Sequence, residues 1–393
     1  MKHFIYFIIS LAIFPLLGLN CTSDDPISTN SNVIALINAT LIDGNGLDPL
    51  IDAVVLIEND RILSVGTSSD ITIPDGAEII DLNAGYILPG FFNTHVHDGY
   101  NTGNLRQWSR EGVTTVRDLA DLLFNISTTY QTRNNLLINN LNARLVAAGP
   151  IVTTVGGYGG YYVTSPSDAV TKVNDLIDAG ADLIKIAIED NLQGRSWPML
   201  SQEEVNAIVE TAHNGNIPVS AHISRSHQLA MAIEAGVDDV NHMIVDYLSP
   251  ALIVQMIEID MYWVPTLELW YGVSGLYGSG WYTVPRENLR RFVEAGGKVA
   301  LGTDYAGYTT PFDLGMPMTE IEKMTEAGMT PMQIIVAATK NAAHVCNLEN
   351  DLGTIETGKI ADLFVVTGNP LEDLETLMDI SLVIHNGVII VSN

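Results

Sequence analysis

The sequence predicts an α/β protein: a (β/α)8 barrel joined to a small, discontinuous β-sandwich domain built from both ends of the mature chain. Two observations predict the barrel and a third the appendage. Across residues 87–350, short apolar runs alternate with helical stretches, the order that parallel strands require, and eight such runs are present. Residues 33–86 and 351–393 instead break into short β-branched runs separated by Asn, Asp, Gly and Pro turns. Either flanking set alone would leave apolar faces and sheet edges bare, so the two are expected to share one domain.

In chain order, Lys2 and His3 precede an apolar run over residues 4–19, too short for a membrane span and suited to a secretory signal, and Cys21 follows. Residues 1–20 are read as a signal peptide and 21–32 as a tether. The run Cys21-Thr22-Ser23-Asp24-Asp25-Pro26 resembles the start of a bacterial lipoprotein, which implies lipidation of Cys21. Asn20, after Leu19, stands where a small residue is usual, so ordinary cleavage and an uncleaved anchor are the alternatives. The expected location is exported: a lipoprotein facing the periplasm or the cell surface, otherwise periplasmic or secreted. Lipidation would leave Cys346 without a partner, so no disulfide framework is expected, and Cys346 reads as a packed helix residue.

The 46 acidic and 18 basic residues give a net charge of −28, which repels polynucleotides and anionic lipid. A nucleic-acid partner is thereby excluded. The expected partner is a small-molecule substrate, with the membrane touched through the lipid anchor only and homo-oligomers left open.

Strands are expected at 33–37, 53–58, 62–65 and 77–81, then in the barrel at 90–96, 114–119, 144–148, 183–188, 218–222, 239–242, 262–266 and 298–303. A helix over 201–213 opens at Ser201 with Glu204 three residues on, a capping-box signature. The tail returns to strands at 382–385 and 388–391.

In such a barrel the chemistry sits where strands end. His95 and His97 flank Val96 on one strand, so their imidazoles share a face and can grip one ion. Strand four carries Lys185, strand five ends in His222, strand six in His242 and strand eight in Asp304. Lys185 is the odd member, since an ammonium cannot bind a cation. Either it is salt-bridged or snorkelling, or carbon dioxide has added to its amine to make an anionic carbamate.

Beyond these residues the chain resembles the metal-dependent amidohydrolase superfamily, in its imidazolonepropionase-like and Xaa-Pro dipeptidase-like branch. The resemblance is carried by Pro89-Gly90-Phe91 leading to His95-Val96-His97, by Gly112-Val113-Thr114-Thr115-Val116-Arg117-Asp118, Ala221-His222, Asn241-His242, Val264-Pro265-Thr266 and Leu301-Gly302-Thr303-Asp304, and by the tail from Gly353 to Leu363. It implies a TIM-like barrel and a binuclear centre, usually of two zinc ions. His95, His97 and Asp304 would hold the more buried ion, and His222 and His242 the more exposed one. Carboxylated Lys185 and a hydroxide would bridge them, with carbon dioxide the source of the carbamate. Asp304 would act as general base and then general acid. The implied activity is hydrolysis of a C–N bond in an amide or dipeptide-like substrate. A cyclic amide, lactone or phosphoester is the alternative, and a non-catalytic surface binding protein a more distant one.

The chain departs from its relatives at Asn93, where they often have Asp, at Tyr158, where they often place a histidine, and at Ser224, which replaces a second histidine. Tyr158 and Arg225 are the candidate substrate contacts, with Arg195 a further arginine that could clamp a carboxylate. Trp270, Tyr271, Trp281 and Tyr282 are placed in a long loop after strand seven, as an apolar wall or as loop packing. Arg117 and Asp118 are expected to brace the barrel mouth through an ion pair, and His213, His227, His344 and His385 to serve as capping, surface or core residues.

Overall fold

The structure, a computed structural model, describes residues 33–120, 126–192 and 194–393. The expected signal peptide and tether, Cys21 included, lie outside the described residues.

Four strands open the described chain: β1 (Val33–Leu41), β2 (Leu50–Glu58), β3 (Arg61–Thr67) and β4 (Glu78–Pro89). The strands that follow are β5 (Phe91–Val96), β6 (Val113–Asp118), β7 (Arg144–Ala147), β8 (Val152–Thr154), β9 (Tyr161–Val163) and β10 (Ile184–Ala187). Then come β11 (Asn191–Leu192), β12 (Arg195–Ser196), β13 (Val219–His222), β14 (Asp239–Asn241), β15 (Tyr262–Val264) and β16 (Lys298–Val299). The tail supplies β17 (Leu363–Val366), β18 (Ile380–His385) and β19 (Val388–Ser392).

Both chain ends enter one seven-stranded sheet, in the order β19-β18-β17-β4-β1-β2-β3. The sharing follows from apolar faces that neither end could cover alone. Leu36, Val55, Ile57 and Val365 pack on one side, and Val33, Ala35, Val54 and Leu56 form a separate cluster. The tail motif is stitched in by backbone bonds, Gly358 N donating to Ile62 O and Gly90 N to Asp362 O.

The middle of the chain forms two parallel sheets, β5-β6-β7 and β16-β15-β14-β13-β10-β8-β9. The eight expected barrel strands fall on β5, β6, β7, β10, β13, β14, β15 and β16, with ends shifted by a few residues at most. The sheets are linked at two places. Asp182 N donates to Ala147 O (3.1 Å), while Thr94 N donates to Leu301 O (2.9 Å) and Asp304 N to His95 O (2.8 Å). Strand residues on both faces are buried, Ile184, Ile186, Val240 and Trp263 fully so, and Trp108 and Phe292 are fully buried on the covering helices, so these strands read as largely continuous apolar runs.

The helix after β12 spans Gln202–Asn214, with Ser201 at its N-cap and the reciprocal Ser201–Glu204 capping box in place. The stretch expected as a long loop after strand seven is instead two helices, Leu267–Tyr277 and Gly280–Glu294. Its many aromatic residues and glycines have poor helix propensity, and burial of Trp270, Val273, Leu289 and Phe292 overrides it.

Candidate metal centre

The six residues singled out as donors meet at one end of the parallel strands. His95 and His97 lie at the end of β5, and the Asp304 carboxylate reaches both: Oδ1 is 3.1 Å from His95 Nε2 and 2.9 Å from His97 Nε2. His242 Nδ1 is 3.9 Å from Asp304 Oδ2, and the His95 and His242 rings lie 4.7 Å apart. His222 completes the row, its ring 4.5 Å from that of His242. Lys185, on β10 with 1% exposure, is near enough for its charge to act on His95, His97 and His242.

The backbone is shaped to make this convergence. His242 directly after β14, Thr266 two residues past β15 and Asp304 five past β16 have φ of 74°, 51° and 63°, a left-handed region that costs a non-glycine residue about 1–3 kcal/mol. The turn swings each side chain off its strand and across the strand ends. Gly302 is required beside it, since a Cβ there would lie 2.9 Å from both His95 Cβ and His95 N. Asn93 clasps the two segments: its Nδ2 donates to Thr303 Oγ1 (2.9 Å) and its Oδ1 accepts from Thr303 N (3.1 Å). The departure from Asp at this position therefore leaves a bracing role that an amide performs through both ends.

Whether the donors suit a cation can be read from their unmet lone pairs. His95 Nδ1 and Lys185 Nζ are buried without a hydrogen-bond partner, and Glu189 Oε2, His222 Nε2 and Asp304 Oδ1 are buried with no hydrogen bond of good geometry, their near neighbours being one another and the imidazoles of His95 and His97. Buried polar atoms are rarely left so. His95, His97 and Asp304 offer donor atoms within 4.8 Å of one another, a nitrogen and oxygen set that fits a divalent ion. Burial pushes the His95 imidazolium down to about 3, against the pull of Asp304, and takes His242 well below its usual value, so both rings are neutral donors at neutral pH. Burial also brings the Lys185 ammonium down to about 7, opposed by Asp239 and assisted by Arg117. A substantial fraction of Lys185 is then a free amine, the form that reacts with carbon dioxide.

Glu189, two residues past β10, was missed in the sequence. Its side chain is fully buried; Oε1 accepts from Asn191 N (2.8 Å) and Gln228 Nε2 (3.0 Å), and Oε2 faces His222 Nε2 at 3.4 Å. Burial would raise its pKa, yet the His222 contact and these donors hold it down at about 2. A carboxylate against one ring nitrogen fixes the imidazole and leaves the other nitrogen to a ligand. An acidic residue closing the run Leu183–Ile188, which is apolar but for Lys185, was the available signal.

A cavity of about 270 Å³ opens above His222, His242 and Asp304, walled by Tyr158, Trp197 and Trp270. Tyr158 stacks on His222 with ring centroids 4.3 Å apart, and burial together with the Asp304 and Glu189 charges keeps its phenol protonated, a donor facing the cavity. Trp281 stacks on Trp270 from outside at 5.8 Å, and Tyr282 donates to Glu326. Arg195 lines this cavity, whereas Arg225 lines a neighbouring cleft with Tyr277 and Trp281 and donates from Nε to Asn191 O (3.3 Å). Ser224 is buried, its N–H donating to Gln228.

Arg117 makes its ion pair with Asp239, deep among the strands, because successive strand side chains point to opposite faces. Asp118 instead accepts from Gly99 N and Ala120 N, so the expected brace lies below the mouth. His213, His227, His344 and His385 face Asp238, Asp190, Glu349 and Asp362, away from the donor cluster.

The parallel α/β fold and a nitrogen–oxygen donor cluster at its strand ends define a class, hydrolytic enzymes with a candidate metal site. More particularly, the chain belongs to the amidohydrolase family, whose model matches residues 86–390. Ochratoxinase of Aspergillus niger is 26% identical over 91% of this chain and 86% of its own length. Imidazolonepropionase of Geobacillus sp. (strain WCH70) is 40% identical over 19% of this chain and 18% of its own. The crystal structure of a Xaa-Pro dipeptidase with bound methionine superposes with a TM-score of 0.80 at 27% identity, covering 91% of this chain and 99% of that one. These neighbours imply a TIM-like barrel for the parallel strands, and the family and its relatives make the protein a hydrolase acting on carbon–nitrogen bonds.

Proposed function

We propose that the protein is an exported, metal-dependent amidohydrolase that cleaves the C–N bond of an amide or dipeptide-like small molecule. The observation that carries the reading is the meeting of His95, His97, Lys185, His222, His242 and Asp304 at one set of strand ends, with buried lone pairs left unmatched. The eight strands are taken to close as a (β/α)8 barrel and the shared sheet to fold as a small sandwich. Cys21 is taken as the lipid anchor.

In this reading His95, His97 and Asp304 would hold one divalent ion, probed first as zinc, and His222 and His242 a second. Lys185 would serve both after its amine adds to carbon dioxide, forming an N–C bond and releasing a proton. The ions would supply acidified water and polarisation of the substrate carbonyl. The chain's own groups do the rest. Asp304 takes the proton of the attacking water and returns it to the leaving nitrogen, being the one carboxylate among the described residues that faces both the donors and the cavity. Glu189 holds His222 in orientation, and the Tyr158 hydroxyl donates to the carbonyl oxygen as charge builds on it.

Screening the purified chain against N-acyl amino acids and dipeptides, alongside metal content per chain, tests the reading. Hydrolysis is expected with at least one bound transition metal, both lost in Lys185→Ala and partly restored by short carboxylic acids. A fully active, metal-free Lys185→Ala protein would remove it.

A further inference from the structure

We propose that Arg195 makes the cavity selective for molecules that pair a free carboxylate with an aromatic or large apolar side chain. The guanidinium receives the carboxylate, and the indole walls receive the side chain. The proposal rests on the C–N hydrolase reading only in naming such a molecule as part of a substrate, an N-acyl amino acid or a dipeptide with an apolar C-terminal residue.

Charge is the first argument. Acidic residues outnumber basic ones 46 to 18, and six of the arginines, at 61, 117, 133, 144, 286 and 290, stand in ion pairs, whereas Arg106, Arg110, Arg225 and Arg291, like Arg195, have none among the described residues. The Arg195 side chain is exposed and makes no ion pair or hydrogen bond among the described residues, and it is the one lysine or arginine among them lining the cavity. Asp304 sits on the floor of the same cavity and Glu189 lies just behind His222. An anion entering above those carboxylates meets a cation whose five N–H donors are uncommitted.

Position is the second argument. The guanidinium carbon lies 4.9 Å from the centroid of the Trp197 ring, so the side chain is laid on a platform. Trp197 meets Tyr158 edge-on at 5.4 Å, and Tyr158 stacks on His222 at 4.3 Å. A relay of three rings thus fixes where the cation stands relative to the donor cluster. The β11–β12 hairpin that carries it is held at both ends, by Trp197 N donating to Asp190 O (2.9 Å) and by Arg225 Nε donating to Asn191 O (3.3 Å). Arg225 is therefore a support for the hairpin from the adjoining cleft, and the two arginines divide the work.

Shape is the third. Trp197 and Trp270 present broad apolar faces beside the guanidinium, and about 270 Å³ is small against the ~300–1,000 Å³ usual for ligand pockets. The ligand is therefore compact.

The test uses ligands without a C–N bond, so hydrolysis plays no part in it. Binding of 3-phenylpropanoate, 3-phenyl-1-propanol and acetate to the holoprotein and to Arg195→Gln would be measured by calorimetry. The wild-type protein should bind 3-phenylpropanoate at least tenfold more tightly than either of the others. Arg195→Gln should reduce the preference for acid over alcohol to threefold or less, with the alcohol's own affinity unchanged, and Arg195→Lys should recover part of it. A preference equal in wild type and Arg195→Gln would assign the carboxylate to the donor cluster and overturn the proposal, as would a wild-type protein that does not distinguish acid from alcohol. Failure of the hydrolase reading would appear separately, as absence of turnover in the amide screen.

Discussion

Two buried polar clusters lie on the same strands, and they are built in opposite ways. The lower one centres on Arg117 and Asp239, both fully buried. Arg117 donates from Nε to Thr94 O (2.6 Å) and from Nη1 and Nη2 to the two Asp239 oxygens (2.9 and 3.0 Å), with a further bond from Nη1 to Val345 O. Ser220 Oγ and Asn241 Nδ2 also donate to Asp239 Oδ1 (2.8 and 2.9 Å). The upper cluster, a residue or two further along the strands, bends His242 and Asp304 into positive φ and leaves buried atoms of His95, Lys185, His222 and Asp304 without hydrogen bonds. Charge neutralised within the protein marks structure. Nitrogen and oxygen donors crowded against one another with buried polar atoms left unsatisfied, at the expense of backbone strain, mark a site suited to a ligand.

The contrast is broken first, and by the largest effect, at Asp304. In the upper cluster, Asp304→Asn keeps the volume and removes the base, so kcat should fall by about 10³ or more, equivalent to ~4 kcal/mol in the barrier. The melting temperature of the metal-free protein should fall only slightly, since the amide keeps the volume and loses the favourable contact of the carboxylate with the His95 and His97 rings. Loss of folding in step with activity would place Asp304 with the structural cluster instead.

The lower cluster should respond the other way. Arg117→Leu leaves Asp239 buried and uncompensated and should cost about 3–5 kcal/mol of unfolding free energy, read by denaturant titration. Adding Asp239→Leu should return most of that, because an apolar pair replaces a charged one. A double variant as unstable as the single one would show that the pair does more than neutralise itself.

The upper cluster was legible in the sequence because each of its donors sits at or near the end of an apolar strand, a position that parallel α/β folds repeat. Lys185 stood out because a lysine inside Ile184–Ala187 must be salt-bridged, snorkel to solvent or lose its charge. The shared sheet was legible from edges that needed partners. What was not legible depends on contacts distant in sequence. Arg195 and Arg225 follow different strands and look alike, and only the fold of the β11–β12 hairpin over the cavity separates them. The ion partner of Arg117 is 122 residues away, and nothing local points to Asp239 over Asp118. The helices at Leu267–Tyr277 and Gly280–Glu294 were hidden by residues whose propensity argues for a loop.

A third buried pair sharpens the rule, because unmatched lone pairs can also be resolved by a proton. Glu268, in the first turn of the helix that carries Trp270, and Glu320, on the helix Met318–Glu326, are both buried; Glu320 Oε2 accepts from Glu268 N (2.7 Å) and Glu268 Oε1 from Asp313 N (2.5 Å). Glu268 Oε2 and Glu320 Oε1 have no partner, and neither residue joins a histidine cluster. Burial raises Glu320 from 4.5 to about 8 and Glu268 to about 9, with the Asp313 and Glu320 charges adding to the rise at Glu268. Between pH 4.5 and these values the folded chain holds protons that the unfolded chain has released. The pair therefore favours folding fully in acid, and that advantage drains away as pH rises through 8 to 9. Glu320→Gln, neutral at every pH, should match the wild-type unfolding free energy near pH 5 and exceed it progressively toward pH 9. The final gain should be on the order of a few kcal/mol. A gap between the two proteins that stays constant across that range would mean the pair is already ionised, its charge met by a cation, and would move it into the same class as the donor cluster.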